Sequence, residues 1–259
     1  MTFSIAIAGK GGSGKTTTAA LIIRYLRNRQ MTPILAVDAD GNANLHESLG
    51  LGLGATIGSI LAEFNTEKIS IPSGMNKGAF LEFRLNEAVV ESRGVDLISM
   101  GRGEGTGCYC YPNSVLKNFI DKLKGNYRFM VMDNEAGMEH LSRRTTENID
   151  ELLIASDHSV KGIRTVARIR ELVDELKLDV KRVSVIITRV PGVLDEHIKG
   201  ELKELAIDPV AVIPLDPAIL RFDLEQRSLL DLPNESPAVQ AVQRLMDAVL
   251  AQNRIGSLK

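Results

Sequence analysis

Cysteine is nearly absent: two among 259 residues, Cys108 and Cys110 in "GCYCYP". One residue separates them, a spacing at which an intrachain disulfide would be strained, so both read as reduced thiols. Neither sign of charge is in excess. The 31 Lys and Arg against 33 Asp and Glu leave −2, which gives no global attraction to nucleic acid or anionic lipid. Long apolar runs are missing as well. None approaches the roughly 18 residues that span a bilayer, and Gly9 and Lys10 interrupt the N-terminal run too early for a signal peptide. The expected setting is the cytoplasm, with no membrane and no nucleic acid as partner.

What remains is an ordinary globular composition, 44% hydrophobic and 25% charged, enough for one large α/β domain over residues 1–259. Short β-branched runs alternate with helical stretches. "FSIAIAG", "PILAVDAD", "VDLISMG", "YRFMVMD", "ELLIASD", "RVSVIITR" and "PVAVIP" read as buried strands. "KTTTAALIIRYLRNRQ", "NSVLKNFIDKLKG", "VKGIRTVARIRELVDELKL", "DEHIKGELKEL" and "SPAVQAVQRLMDAVLAQ" carry apolar residues at helical spacing. The alternation predicts a single doubly wound, mostly parallel sheet flanked by helices, with ligand chemistry at the carboxyl ends of the strands. From about 50 to 93 the pattern is less regular and suggests one helix and a glycine-rich excursion.

At the end of the first strand, "GKGGSGKT" satisfies G-x-x-x-x-G-K-[ST] through Gly9, Gly14, Lys15 and Thr16. Glycines let backbone N–H groups curl around phosphate oxygens, Lys15 reaches the phosphates, and the Thr16 hydroxyl is a Mg²⁺ ligand. Gly11, Gly12, Ser13 and Thr17 complete the loop, and the following helix points its positive end at the same anion. A plain glycine turn needs neither the lysine nor the threonine.

The fuller form "KGGSGKT" resembles the deviant Walker A motif of the MinD/ParA/nitrogenase-iron-protein group of dimeric ATPases. The resemblance implies ATP with Mg²⁺, a homodimer around the nucleotide, and a role for the extra lysine, Lys10, reaching the partner's phosphates in trans. In "VDADGNANL" it implies Asp38 in the Mg²⁺ water shell and Asp40 on the attacking water; a carboxylate at a strand end also caps helices and starts turns. In "FMVMDNEAG" it gives Asp133 as the Walker B carboxylate and Gly137 as the γ-phosphate sensor. "IPLD", with Pro214, Leu215 and Asp216, matches the wall of the base pocket. Many relatives carry asparagine where this chain has Thr188 in "ITRV", and a lone hydroxyl weakens adenine selection.

Cys108 and Cys110 form a C-x-C pair that in an extended segment would put both sulfurs on one side of the chain. Two thiolates are half of a tetrahedral S₄ site, and a two-fold dimer would complete it. Spacing alone leaves incidental or buried thiols open. Together, "KGGSGKTT", "VDADGNANL", "CYC" and "DNEAGMEHLSRR" resemble the CooC-type maturation ATPases, which serve nickel insertion into carbon monoxide dehydrogenase, with a close branch serving acetyl-CoA synthase. That resemblance implies Ni²⁺ or Zn²⁺ at Cys108 and Cys110 across the dimer and a client nickel enzyme. Thiolate ligands do not choose between the two metals.

Other readings have less support in the residues. A nitrogenase-type cluster would need another cysteine after Asp133, and none is there. His140 stands alone in that segment, and His46, His158 and His197 form no ligand pair. A MinD- or ParA-like positioning switch, the alternative from another class, would need a basic amphipathic end or a clustered basic face. The last helix has an apolar face of Val242, Leu245, Met246 and Val249 but few cations, and "RIRELVDELKLDVKR" interleaves acids with bases.

Overall fold

The computed structural model describes residues 2–65, 71–102, 110–136 and 149–253. Seven strands form one parallel sheet: β1 (Phe3–Gly9), β2 (Ile34–Ala39), β3 (Val95–Ser99), β4 (Phe129–Asn134), β5 (Glu151–Asp157), β6 (Val183–Val190) and β7 (Ala211–Pro214), in the order β3-β2-β4-β1-β5-β6-β7. The described helices are α1 (Lys15–Asn28), α2 (Leu45–Leu49), α3 (Ile57–Asn65), α4 (Lys77–Glu87), α5 (Cys110–Leu123), α6 (Val160–Glu175), α7 (Glu196–Glu204), α8 (Pro217–Leu224) and α9 (Pro237–Gln252).

The strands are apolar on both sides because both sides are covered. Along β1, Ile5 and Ile7 join α1, α2 and α9 in one core, while Ala6 and Ala8 join the core under α3, α5, α6 and α7. This is the period of two, with a helix layer on each face. Each fully buried Ile or Leu in these layers contributes roughly 1.5–3 kcal/mol relative to exposure. All seven predicted strands and the doubly wound class are observed.

Three features differ from the sequence expectation. The stretch from 50 to 93 holds two helices, α3 and α4, and Val90 bridges antiparallel to Leu97 beside β3. The helices α2 and α8 were not anticipated: α2 has only five residues, and α8 leaves Leu220 and Leu224 in solvent, so neither shows a buried stripe. Cys110 opens α5, ahead of the predicted start at Asn113, so the extended geometry considered for the C-x-C pair does not hold at its second residue. Cys108 lies outside the described residues, as do Gly137 and His140.

Register brings the strand ends that matter together. Asp133 of β4 pairs with Ile7 of β1 and Asp38 of β2, Gly9 of β1 with Ala155 of β5, Asp157 of β5 with Thr188 of β6, and Val190 of β6 with Pro214 of β7.

Candidate functional site

The turn from β1 into α1 depends on glycine at Gly9 and Gly14. A Cβ on Gly9 would lie 2.2 Å from the Ala155 carbonyl oxygen, so glycine alone permits the strand contact. Gly14 has φ 76 and caps α1 without a side chain, whereas α4, α6, α7, α8 and α9 are capped by Asn76, Ser159, Asp195, Asp216 and Ser236. The first N–H groups of α1 thus have no side-chain acceptor, and the helix dipole adds positive potential at the same point. The loop is closed by Ser13 N–H donating to the Lys10 carbonyl at 3.1 Å.

Lys15 is buried and its ammonium donates to the Lys10 carbonyl at 3.3 Å. Burial lowers its pKa, opposed by Asp133, Asp40 and Glu135. Thr16 donates its hydroxyl to Asp133 Oδ2 at 2.6 Å, while Asp133 Oδ1 is buried with no partner. An orphaned carboxylate oxygen beside a threonine hydroxyl is a hard oxygen donor set and fits Mg²⁺. Burial raises the Asp133 carboxyl from 3.8 to about 7, with the Thr16 bond and Lys15 opposing and Asp38 and Asp40 adding to the rise.

Asp38 is fully buried, and both of its oxygens accept backbone N–H groups, from Asp40 at 3.1 Å and from Leu45 at 2.8 Å. It therefore shapes the loop after β2 and the entry to α2, the capping task that strand-end carboxylates perform. Burial raises it to about 6 against these two bonds. Asp40 is half-buried and accepts from Asn42 N–H at 2.8 Å, and Arg102 donates to Asn42 at 2.7 Å. Lys10 is exposed, and its ammonium meets no acid among the described residues.

A cleft of about 1180 Å³ runs from Gly14, Thr16 and Thr17 to the ends of β6 and β7. Its far wall is Thr188, Arg189, Pro214, Leu215, Asp216 and α8, and α2 with the loop to Leu53 closes the side. Thr188 has a different task from the base contact considered for it. Its buried hydroxyl lies 2.7 Å from the Ser13 carbonyl and 3.1 Å from that of Ser156, tying the phosphate loop to β5. Asp216 is likewise committed, accepting from Ala218 N–H at 2.9 Å and from the Ser236 hydroxyl at 2.5 Å. Pro214 and Leu215 line the far side of the cleft. Sequence reasoning missed Arg189, Asp223, Gln226 and the α2 side of the cleft, which no motif marks.

Among the described residues no group of three or more His, Cys, Asp or Glu is placed to hold a metal ion, and no helix is long and apolar enough to cross a membrane.

Comparison with known proteins places these observations. Residues 4–229 match the family described as the CobQ/CobB/MinD/ParA nucleotide binding domain. An uncharacterized ATP-binding protein of Methanocaldococcus jannaschii is 38% identical over 248 residues, covering 95% of this chain and 98% of its own. The carbon monoxide dehydrogenase accessory protein CooC of Rhodospirillum rubrum is 28% identical over 265 residues, covering 97% of each. Among solved structures, the septum site-determining protein MinD of Pyrococcus horikoshii, complexed with Mg-ADP, superposes with a TM-score of 0.72 at 22% identity and full coverage of both chains. At that identity the likeness speaks for the fold.

Proposed function

The chain belongs to the CobQ/CobB/MinD/ParA nucleotide binding domain family and is an ATPase of the MinD/ParA class, and we propose that it dimerises around Mg-ATP to control a metal held by Cys108 and Cys110. The observation that carries the ATPase chemistry is the half-buried Thr16 hydroxyl bonded to the buried Asp133 with its orphaned oxygen, next to the uncapped start of α1.

In this reading the N–H groups of 9–16 and the Lys15 ammonium take the β- and γ-phosphates. Thr16 and Asp133 would hold Mg²⁺, and Asp38, paired in register with Asp133, would contact waters bound to it. When bound, the ion supplies positive charge that offsets the charge developing on the phosphates. Asp40 accepts a hydrogen bond from the attacking water and aims it at the γ-phosphorus. Lys10, exposed and without an acidic partner among the described residues, reaches the partner's phosphates and stabilises the oxygens of the transferred group, as an arginine finger does in trans. Gly137, outside the described residues, has the γ-phosphate sensor role only from the resemblance of "FMVMDNEAG". Pro214 and Leu215 wall the base, while Thr188 and Asp216 hold that wall and the phosphate loop in place.

The finer role rests on the C-x-C pair and on the CooC relative, which spans nearly the whole chain. One chain offers two thiolates, so a four-sulfur site requires two chains and one Ni²⁺ or Zn²⁺ per dimer. The dimer would serve a client nickel enzyme, carbon monoxide dehydrogenase or acetyl-CoA synthase. Anaerobic size-exclusion chromatography with inline metal detection, with and without a non-hydrolysable ATP analogue, tests this. One metal per dimer, lost when both cysteines become serine, is expected. Metal at one per monomer, or retained by the double variant, contradicts the shared site and favours a positioning switch of the MinD/ParA sort.

A further inference from the structure

From the backbone of β6 we infer that Arg189 is a nucleotide-binding residue, its guanidinium lying on the face of the base. This rests on the cleft being the ATP site and adds a contact to it. Alternation along β6 breaks near its end. Ile186 and Thr188 face α1 and the phosphate loop, while Ile187 faces the opposite core. Val190, three residues after Ile187, should by the period of two return to the side of Thr188. Instead it packs in the same core as Ile187, and the pairing with β7 shifts register between Ile187 and Val190. One extra residue has been inserted, and that residue is Arg189, which is thrown to the cleft side next to Thr188. Bulges of this kind re-aim a side chain beside functional sites.

The backbone at Arg189 has φ 55, left-handed and unfavourable for a residue with a Cβ. Among the described residues six non-glycines have positive φ: Gln30, Ala43, Lys177, Arg189, Ala206 and Gln226. Four of these follow the ends of α1, α6, α7 and α8, where a left-handed residue closes a helix. The other two, Ala43 and Arg189, border the loop of Asp40 and the cleft. Strain held without a helix end to explain it clusters at ligand sites.

The chemistry follows from what else the far wall offers. Thr188 and Asp216 have committed their polar atoms to the fold, and the Leu215 N–H is bonded to the Val190 carbonyl at 2.9 Å. Ile213, Pro214, Leu215 and Leu220 are apolar surfaces suited to one face of a flat ring. Arg189 is exposed and makes no ion pair or hydrogen bond through its side chain among the described residues. A planar guanidinium stacks on nucleobases and remains charged at every working pH. Because Thr16 and Lys15 fix the phosphates at the opposite end, the ring at this end belongs to the nucleoside.

Calorimetry with ATP, ADP and inorganic tripolyphosphate tests the assignment in wild type, Arg189→Ala and Arg189→Lys. A stacking contact predicts that Arg189→Ala weakens ATP and ADP alike by about 5- to 30-fold, leaves tripolyphosphate unchanged and leaves kcat at saturation within about 2-fold, while lysine restores only part. Unchanged ATP affinity in Arg189→Ala would overturn the inference, as would a parallel loss for tripolyphosphate, which would move the contact to the phosphates. A loss confined to kcat would also overturn it. Wild-type protein that bound no ATP would remove the nucleotide reading itself.

Discussion

The two ends of the cleft are built on opposite principles. At the phosphate end Lys15, Asp38, Asp133 and Ser13 are all under 8% exposed; Lys15, Asp38 and Asp133 are held by the Lys10 carbonyl, two backbone N–H groups and the Thr16 hydroxyl, while Asp133 Oδ1 and Ser13 Oγ are left without partners. At the base end Leu215 is 55% and Leu220 62% exposed, the wall is largely apolar, and Arg189 has no side-chain partner among the described residues. The first end is preorganised for charge, where water is excluded and each unit of charge has large effect. The second end supplies apolar area, which in the proposed reading takes the face of the nucleoside's ring. Rate and Mg²⁺ dependence should therefore belong to one end, and nucleoside affinity to the other.

Substitutions break or sharpen this division in a definite order. The largest effect is expected from Lys10→Ala, which should lower turnover by roughly 10³-fold, as loss of a trans cation does, while ATP binding to the monomer changes by less than about 3-fold. Stopped-flow turnover beside calorimetry reads both. Next comes Lys15→Ala, which removes the principal intrachain cation. It should weaken ATP by about 100-fold or more, and near-normal binding would remove the phosphate-loop assignment.

The paired carboxylates give a pH signature of intermediate size. Asp133 and Asp38 have folded values raised to about 7 and about 6 from 3.8. A raised acid contributes stability that is complete below its unfolded value and is lost as pH rises through the folded one. The nucleotide-free protein should lose thermal stability as pH rises from about 4 to about 7, whereas Mg-nucleotide affinity should rise as Asp133 ionises near its folded value of about 7. Asp133→Asn should flatten both profiles. It should raise the nucleotide-free midpoint at pH 8 by about 2–4 °C and remove the Mg²⁺ dependence of binding. A stability profile unchanged by the substitution would show that burial does not govern this carboxyl. The smallest effect is Leu220→Ala at the base end, about 2- to 3-fold in ATP and ADP affinity with kcat unchanged. If Leu220→Ala lowered kcat as strongly as Lys10→Ala, the two ends would not be separable.

The same contrast governs how much the sequence disclosed. β5 was delimited to the residue, because a strand buried on both faces must be a continuous apolar run and its Glu and Asp mark the ends. The phosphate loop was legible because glycines, a lysine and a hydroxyl are each demanded by the anion. The base end was far less so. The helix α8 leaves Leu220 and Leu224 in solvent, which erases the amphipathic stripe. The bulge in β6 is invisible in "SVIITRV", because nothing in a β-branched run says where alternation slips. Thr188 was read toward the base by its position in the chain. Its hydroxyl instead bonds carbonyls that only the folded register brings near. Asp38 carried both possibilities, and the geometry adds the capping role.

The claim on which the account depends most is that Lys10 works across a dimer, and complementation between variants tests it most directly. Lys10→Ala and Asp40→Ala are each mixed in equal amounts with ATP and Mg²⁺, and mixed dimers are counted by native mass spectrometry while phosphate release is followed. A lysine acting in trans leaves one complete site in each mixed dimer. Two inactive variants should then recover roughly a quarter of the wild-type rate, since half of the dimers are mixed and each has one of two sites intact. Mixed dimers that form in that proportion and release no phosphate above either variant alone would contradict the account.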